Sequence, residues 1–182
     1  RVVQPIDELT FLIALPAFFV PVVVQAHSPW GQYVVYRQKH LLVLSTRDDA
    51  ASYPYSKRLV EAINKGAPEA NARPARAINL DRAYNLLRSD QFQFALLSRG
   101  NVEAMRSAGG PFNGKPAVDL KTIYKFDDLE FVVRADFPNN LVSIVTDAVL
   151  SNIASLPGAL RPEDVLELPN LHAGARQAIQ HQ

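Results

Sequence analysis

The sequence contains no cysteine among its 182 residues. This absence excludes disulfide bonds, thiol catalysis and metal sites built on thiolate ligands. It does not by itself indicate the compartment in which the protein works. The restrictions it places are chemical, and they leave serine, histidine and carboxylate chemistry to be considered.

Strong net charge of either sign is also missing. The formal net charge is +1, and charged residues make up 20% of the chain. Lysine and arginine never form a run of five or more. A nucleic-acid groove needs a basic stripe, so we predict no nucleic-acid partner. The apolar content of 48% and the chain length are those of an ordinary folded domain with a modest core.

Familiar catalytic and metal-binding motifs are absent as well. There is no glycine-rich phosphate loop, nucleophile elbow or metalloprotease motif. Four histidines occur without the spacing of a metal pair on one helix face: His27, His40, His172 and His181. One sequence leaves open a catalytic triad assembled from distant positions. We predict no catalytic residue, no metal and no cofactor, and a protein that is not an enzyme.

Charged side chains are missing altogether from residues 9–26, LTFLIALPAFFVPVVVQA, which run from Leu9 to Ala26. A helix of this length spans about 27 Å, enough to cross the hydrocarbon core of a bilayer. Its two prolines would break a helix in water but are tolerated in a membrane helix, so we predict a kinked transmembrane anchor. A secretory signal peptide, favoured by VQA before His27, and a buried element of the soluble fold are the alternatives.

Aromatic side chains follow this apolar segment directly. Trp30, Tyr33 and Tyr36 are residue types that collect at membrane interfaces. An ordinary linker is the plainer interpretation of the same residues. We divide the chain into a membrane anchor and interfacial linker at residues 1–37 and a folded domain at residues 38–182.

The rest of the sequence alternates between short apolar runs and amphipathic segments. Apolar runs at residues 41–44, 75–80 and 92–97 predict buried strands, and LKTIYKF and LEFVVRADF predict two more. The segments between them have helical spacing. Asp81 is the expected N-cap of the second helix, and Asn139 or Asn140 that of the last. The order β-α-β-α-β-α-β-β-α predicts an α/β fold with a mainly parallel sheet.

Glycine is absent where a binding loop would need it. LVLSTRDDAASYPYSKRLVEAINK, residues 42–65, has the pattern of a strand, a polar loop and an amphipathic helix, but it contains no glycine. Glycine lets backbone N–H groups approach a carboxylate closely and adopt positive φ. Asp48 and Asp49 would instead repel an anion at a helix N-terminus. The stretch therefore has the layout of a binding loop without its usual composition.

Five stretches, in the same order, resemble the TAXI-type solute-binding proteins of TRAP transporters, which are two-lobed periplasmic receptors. They are STRDDAASYP (45–54), NLLRSDQFQFALLSRGNVEAM (85–105), GPFNGKPAVDLKTI (110–123), FVVRADFPNNLVSIVTDAVL (131–150) and LHAGARQAI (171–179). The first stands where that family has a loop of the type Thr-Gly-Gly-Thr-Gly-Gly-Thr-Tyr-Tyr-Pro. The last is similar to its Leu-His-Pro-Gly-Ala ending.

The resemblance implies a periplasmic-binding-protein-like lobe with two ligand loops. It points to six possible ligand contacts: Thr46, Arg47, Ser52, Tyr53, Ser98 and Asn101. Two departures change this expectation. Residues 131–140 leave no room for a second lobe, and the glycines of the first loop are replaced by Thr46, Arg47, Asp49 and Ala50. Because pockets normally bury most of a ligand, we interpret the loop as one that has lost its solute.

These features predict a non-catalytic accessory or structural subunit of a larger membrane protein complex, anchored in the lipid bilayer by residues 9–26. The expected location is the bacterial inner membrane, with a single span and the folded domain on the periplasmic side. The surface left open by the missing lobe would contact the other membrane subunits. The alternative is a TRAP-type receptor for a small carboxylate or amino acid, in which Arg47 replaces the lost backbone donors.

Overall fold

The computed structural model describes residues 39–182. Five strands form one sheet in the order β2-β1-β3-β5-β4. The strands are β1 (Leu42–Thr46), β2 (Arg73–Ala77), β3 (Phe94–Ser98), β4 (Leu120–Phe126) and β5 (Leu129–Arg134). The helices are α1 (Ser52–Gly66), α2 (Leu80–Arg88), α3 (Arg99–Ser107), α4 (Asn139–Ser151), α5 (Pro162–Leu166) and α6 (Ala173–Gln180). The α/β class is therefore confirmed.

The predicted membrane anchor at residues 9–26 lies outside the described residues. Within residues 39–182, no helix is both long enough and apolar enough to cross a bilayer. The boundary placed between residues 37 and 38 stays a prediction.

The prediction of a mainly parallel sheet holds only in part, because the sheet is mixed. β1 pairs in parallel with β2 and β3, whereas β5 pairs antiparallel with both β3 and β4. The cause is the connection between β4 and β5, which consists of Asp127 and Asp128 alone. Two residues can join antiparallel neighbours but not parallel ones. Asp127 takes a φ of 47° in this turn, in the left-handed region that aspartate tolerates better than most residues.

Two helix starts differ from their predicted caps. The N-cap of α2 is Asn79, whose side-chain oxygen accepts a hydrogen bond of 2.8 Å from the Arg82 N–H. Asp81 lies two residues after Asn79, in the first turn of α2, where a carboxylate is also favourable. α4 begins at Asn139 after Pro138 and has no side-chain cap, so neither asparagine performs the predicted role.

Apolar side chains cover both faces of the sheet, as the apolar runs predicted. Successive strand residues alternate between the two clusters: Val43 and Phe131 belong to one, and Leu44 and Val132 to the other. The first cluster is closed by α1, α4 and α6, and the second by α2 and α3. The sheet is thus the middle layer of three.

The two outer strands of the sheet differ in what lies along their free sides. Within residues 39–182, β2 pairs only with β1, and its sequence RPARA places Pro74 within the strand and arginine on either side of the central alanine. The free side of β4 is covered by later residues of the chain, through bridges from Thr122 to Leu171 and from Phe126 to Ala159.

α1 and α4 approach each other at a glycine. A Cβ added at Gly66 would stand 2.5 Å from Ala148 Cα and 2.7 Å from Ala148 Cβ. Gly66 is the last residue of α1, and Ala148 is buried within α4. Since Ala148 contributes backbone atoms to the contact, neither helix can yield by a side-chain rotation.

We expect Gly66→Ala to lower the free energy of unfolding by about 1–3 kcal/mol, because overpacking forces the two helices apart. The control is Gly100→Ala in α3, where an added Cβ would have no neighbour within 4 Å. Helical alanine is favoured over glycine by about 0.5–1 kcal/mol, so the control should be neutral or stabilising. Urea denaturation measures both variants. Equal effects would contradict the close contact.

His172 is a buried N-cap. Its Nδ1 accepts a hydrogen bond of 3.1 Å from the Gly174 N–H at the start of α6, and its backbone N–H donates to the Thr122 carbonyl at 2.8 Å. Burial lowers the pKa of His172 below its ordinary value of 6.5, and a hydrogen bond with the backbone of Phe137 opposes this only in part. The neutral ring is therefore the form that the fold holds.

This cap should make stability depend on pH in a defined direction. The unfolded chain takes up a proton at His172 before the folded chain does, so the free energy of unfolding should fall as the pH drops below about 6.5. His172→Asn keeps a good N-cap but removes the titration, and it should make that decline shallower. Denaturation at about pH 7.5 and about pH 5.5 measures the difference. An unchanged slope would rule out His172 as its source.

Candidate functional site

The loops predicted to bind solute meet at one edge of the sheet. β1, β2 and β3 run in the same direction, so their carboxyl ends and the following loops share that edge, which we call the carboxyl edge. Thr46 ends β1 and Ser98 ends β3, next to each other in the sheet. Ser52 and Tyr53 open α1, and Asn101 lies in the first turn of α3. The structure therefore brings the two predicted loops to the same place.

The carboxylate of Asp49 occupies part of this edge. Asp49 is buried, and its Oδ2 accepts a hydrogen bond from the backbone N–H of Ser98, the N-cap residue of α3. A solute carboxylate held at the start of α3 would need donors of this kind. The chain thus supplies its own carboxylate to a donor that a ligand would use.

Asp48 has the corresponding role at the start of α2. Its Oδ2 accepts a hydrogen bond of 2.6 Å from the backbone N–H of Leu80, the first residue of α2. The two acidic residues of the first loop therefore bind backbone donors at the starts of two different helices. An anionic solute would have to displace one of them or lie against their negative charge.

Two predicted ligand residues are used inside the loop itself. Thr46 and Ser52 are both fully buried. Ser52 Oγ donates to the Asp49 carbonyl at 2.9 Å, and Thr46 Oγ1 accepts a longer hydrogen bond of 3.4 Å from the Asp48 N–H. These bonds fix the turn between β1 and α1 without any ligand. The side chains are not exposed to one.

The accessible part of the edge is cationic and aromatic. The ring of Tyr53, which is half-buried, has Lys57 Nζ and Arg76 Cζ each 4.8 Å from its centroid. Arg47 is exposed in the loop before it. Within residues 39–182, none of these three cations lies within ion-pair distance of a carboxylate. This cluster, Arg47, Tyr53, Lys57 and Arg76, is called the Tyr53 cluster.

The sequence analysis named Arg47 and Tyr53 of this cluster but not Lys57 and Arg76. Lys57 lies four residues after Tyr53 on α1, so helical spacing alone would have indicated the pair. Arg76 comes from β2, and only the parallel pairing of β1 with β2 brings it to the same edge. No local pattern in the sequence indicates that contact.

A buried ionic cluster lies further along the sheet and was also missed. Glu130 on β5 is 2% exposed, and its Oε1 is 2.8 Å from Arg106 Nη2 on α3 and accepts a 2.5 Å hydrogen bond from Thr122 Oγ1. Lys125 Nζ stands 3.9 Å from Oε2. Because the carboxylate is paired on both oxygens, it joins α3, β4 and β5 and does not remain available to a ligand.

Metal ligands do not come together in the described part of the chain. Residues 39–182 contain no group of three or more histidine, aspartate or glutamate side chains arranged to hold a metal ion.

Comparison with known proteins adds no relative to these observations. No protein-family model matches the sequence, and a search of curated proteins finds no significant match. The resemblance to TAXI-type solute-binding proteins stays a prediction that rests on the five sequence stretches.

We expect Asp49→Ala to lower the free energy of unfolding by about 1–3 kcal/mol, because the Ser98 N–H loses its acceptor in a partly buried position. Asp49→Asn retains an acceptor oxygen and should cost less. Asp147→Ala, at an exposed position of α4, is the control and should change stability by about 0.5 kcal/mol or less. Urea denaturation of the three variants tests this order, and an Asp49→Ala effect no larger than the control would refute it.

Proposed function

We propose that this chain is a non-catalytic accessory subunit of a larger membrane protein complex, built on a solute-binding lobe that no longer binds solute. The observation that carries the proposal is the occupation of two helix-start donors by the loop's own acids. Asp48 accepts from Leu80, and Asp49 accepts from Ser98. A receptor for an anion keeps such donors available.

The remaining features of the carboxyl edge favour a partner protein. Solute pockets bury most of their ligand, whereas the Tyr53 cluster is open on the protein surface. Arginine and tyrosine are residue types enriched at protein interfaces. The three cations of the cluster lack carboxylate partners within the described residues, so an acidic surface of another subunit suits them.

The membrane part of the proposal rests on the sequence of residues 9–26, which would place the chain beside its partners in the bacterial inner membrane. A single span gives little specificity, because lipid provides no hydrophobic drive for helices to pair. The folded domain, on the periplasmic side, must then supply contacts of its own. The carboxyl edge is the surface we expect to provide them.

A receptor for a small carboxylate or amino acid is the second candidate, and the Tyr53 cluster also favours it. α1 has no side-chain N-cap and no acidic residue in its first turn. Its N-terminus therefore attracts anions, and Lys57 and Arg76 lie over the ring of Tyr53 in the first turn. In this case the solute would bind over Tyr53 and not between the two loops.

Purification of the full chain in mild detergent, followed by mass spectrometry, should recover other membrane subunits at stoichiometric yield. Arg47→Glu combined with Arg76→Glu should reduce that yield several-fold, because it reverses two charges of the Tyr53 cluster. Arg88→Glu is the matched control, since Arg88 ends α2 away from the carboxyl edge. A chain that purifies alone and monomeric would contradict the proposal.

Calorimetry separates the two candidates. An accessory subunit should show no binding of dicarboxylates or amino acids tighter than about micromolar, which corresponds to about −8 kcal/mol. Submicromolar binding that is lost in Arg47→Ala or Tyr53→Ala would establish the receptor instead.

A further inference from the structure

A second surface lies at the opposite edge of the sheet, where β1 and β3 begin. A groove of about 660 Å³ opens there. Its apolar walls come from the starts of β1 and β3 and from α4 with the residues before it: Leu41, Leu42, Phe94, Phe137, Leu141 and Ile144. This volume is in the range of pockets that hold a small ligand or several side chains.

α4 is apolar on two faces, and only one of them is used by the core. Val142, Val145 and Val149 are buried against the sheet. Leu141 and Ile144 lie on the groove, each 43% exposed. A helix that is apolar on both faces is normally covered on both. In residues 39–182, Ile78 is the one other large hydrophobic side chain exposed to this degree.

The described part of the chain begins with Lys39, at the rim of this groove. Lys39 and His40 are among the groove residues, so residue 38 is attached at its edge. The eleven residues immediately before are SPWGQYVVYRQ, residues 28–38. They include the apolar run Tyr33, Val34, Val35 and Tyr36. At roughly 3.3 Å per residue, this length reaches across a groove of such volume several times over.

Charge at the rim matches the same segment. Glu69 and Asp90 lie on the groove. Asp90 already pairs with Arg134 at 3.1 Å, whereas no ion pair involves Glu69 within the described residues. Arg37 follows the apolar run directly. A cation beside Glu69 would form an ion pair at the rim. The apolar side chains of the same segment would then pack against the apolar walls of the groove.

Attachment decides between this segment and other occupants. A segment linked by one or two residues is present at the groove at an effective concentration of about millimolar or more. A second copy of the chain would have to reach the same occupancy from its own, much lower, concentration. The linked segment therefore occupies the groove in preference to a second copy of the chain.

We propose that residues 28–38 bind in this groove of the same chain, with the run from Tyr33 to Tyr36 against Leu141 and Ile144 and with Arg37 beside Glu69. If the proposed function holds, this docking also orients the domain, because the predicted span ends only a few residues before the docked segment. The groove edge then faces the membrane, and the carboxyl edge with the Tyr53 cluster faces the periplasm, toward the parts of other subunits that extend out of the bilayer.

The absence of cysteine makes cross-linking a direct test. The double variants Val35→Cys with Ile144→Cys and Val34→Cys with Ile144→Cys are prepared in the full chain in dilute detergent and treated with a flexible bismaleimide. Peptide mapping should show an intramolecular link between the segment and α4 in at least one of them. The matched controls replace Ile144→Cys by Ile78→Cys, which is 64% exposed but does not line the groove. The link should form at least fivefold faster in the groove pair than in the control.

Trp30, the single tryptophan of the chain, gives an independent readout. Its fluorescence should become several-fold more accessible to acrylamide in Ile144→Asp, and should be unchanged in Ile78→Asp. Circular dichroism confirms that both variants are folded.

Three results would overturn the proposal. One is a groove link no faster than its control. Another is a link found only between two chains, which would assign the groove to a second copy. The third is a Trp30 that stays shielded in Ile144→Asp, which would place it in detergent or lipid. Each can occur whether or not partner subunits co-purify, so failure here is distinguishable from failure of the proposed function.

Discussion

The hydrogen bond from the Ser98 N–H to the Asp49 carboxylate joins the two loops on which the carboxyl edge depends. It holds the turn after β1 against the end of β3, and Ser52 supports that turn through the Asp49 carbonyl. With Asp48 bound to the start of α2, three parallel strands have their following segments tied together by one acidic pair. These bonds form without a ligand, and they engage backbone donors at the starts of α2 and α3.

The two ends of the sheet are therefore chemically different. At the carboxyl edge, buried polar groups satisfy one another and cations remain on the surface. At the other edge, α4 turns Leu141 and Ile144 toward an apolar groove. α4 can do so because its core face is fixed elsewhere, by the close approach of Ala148 to Gly66 on α1. α4 thus packs one face in the core and lines the groove with another.

Local sequence patterns predicted the five strands and the first four helices, because each pattern is repeated within a few residues, but they did not predict α5 and α6. The alternation of Val43 and Leu44 between the two faces of the sheet is one example. Pairing was harder: the antiparallel position of β5 follows from the two-residue turn at Asp127, a signal present in the sequence but given too little weight. The N-cap of α2 was ambiguous, since Asn79 and Asp81 are both suitable cap residues.

The two predicted loops do meet at the carboxyl edge, but the contacts between them were not predicted. Asp49 and Ser98 are 49 positions apart, and no periodicity links them. Arg76 reaches Tyr53 only because β1 and β2 pair in a particular register. Contacts of this kind depend on the assembled sheet, so the sequence did not indicate them. Asp48 and Asp49 were expected to repel an anion, and the structure shows in addition that each accepts a hydrogen bond from a backbone N–H.

The outer strands have a consequence for how this protein can meet other chains. Sheets often associate by continuing across a boundary, with a strand of one molecule added to the last strand of another. Here Pro74 removes a backbone donor from β2 and two arginines flank its centre, while residues near Ala159 and Leu171 already lie along β4. The free side of β4 is therefore covered by the chain itself, and β2 offers fewer backbone donors to a foreign strand. Another protein would then bind mainly through side-chain contacts. Such contacts favour a specific partner and disfavour aggregation through strand edges.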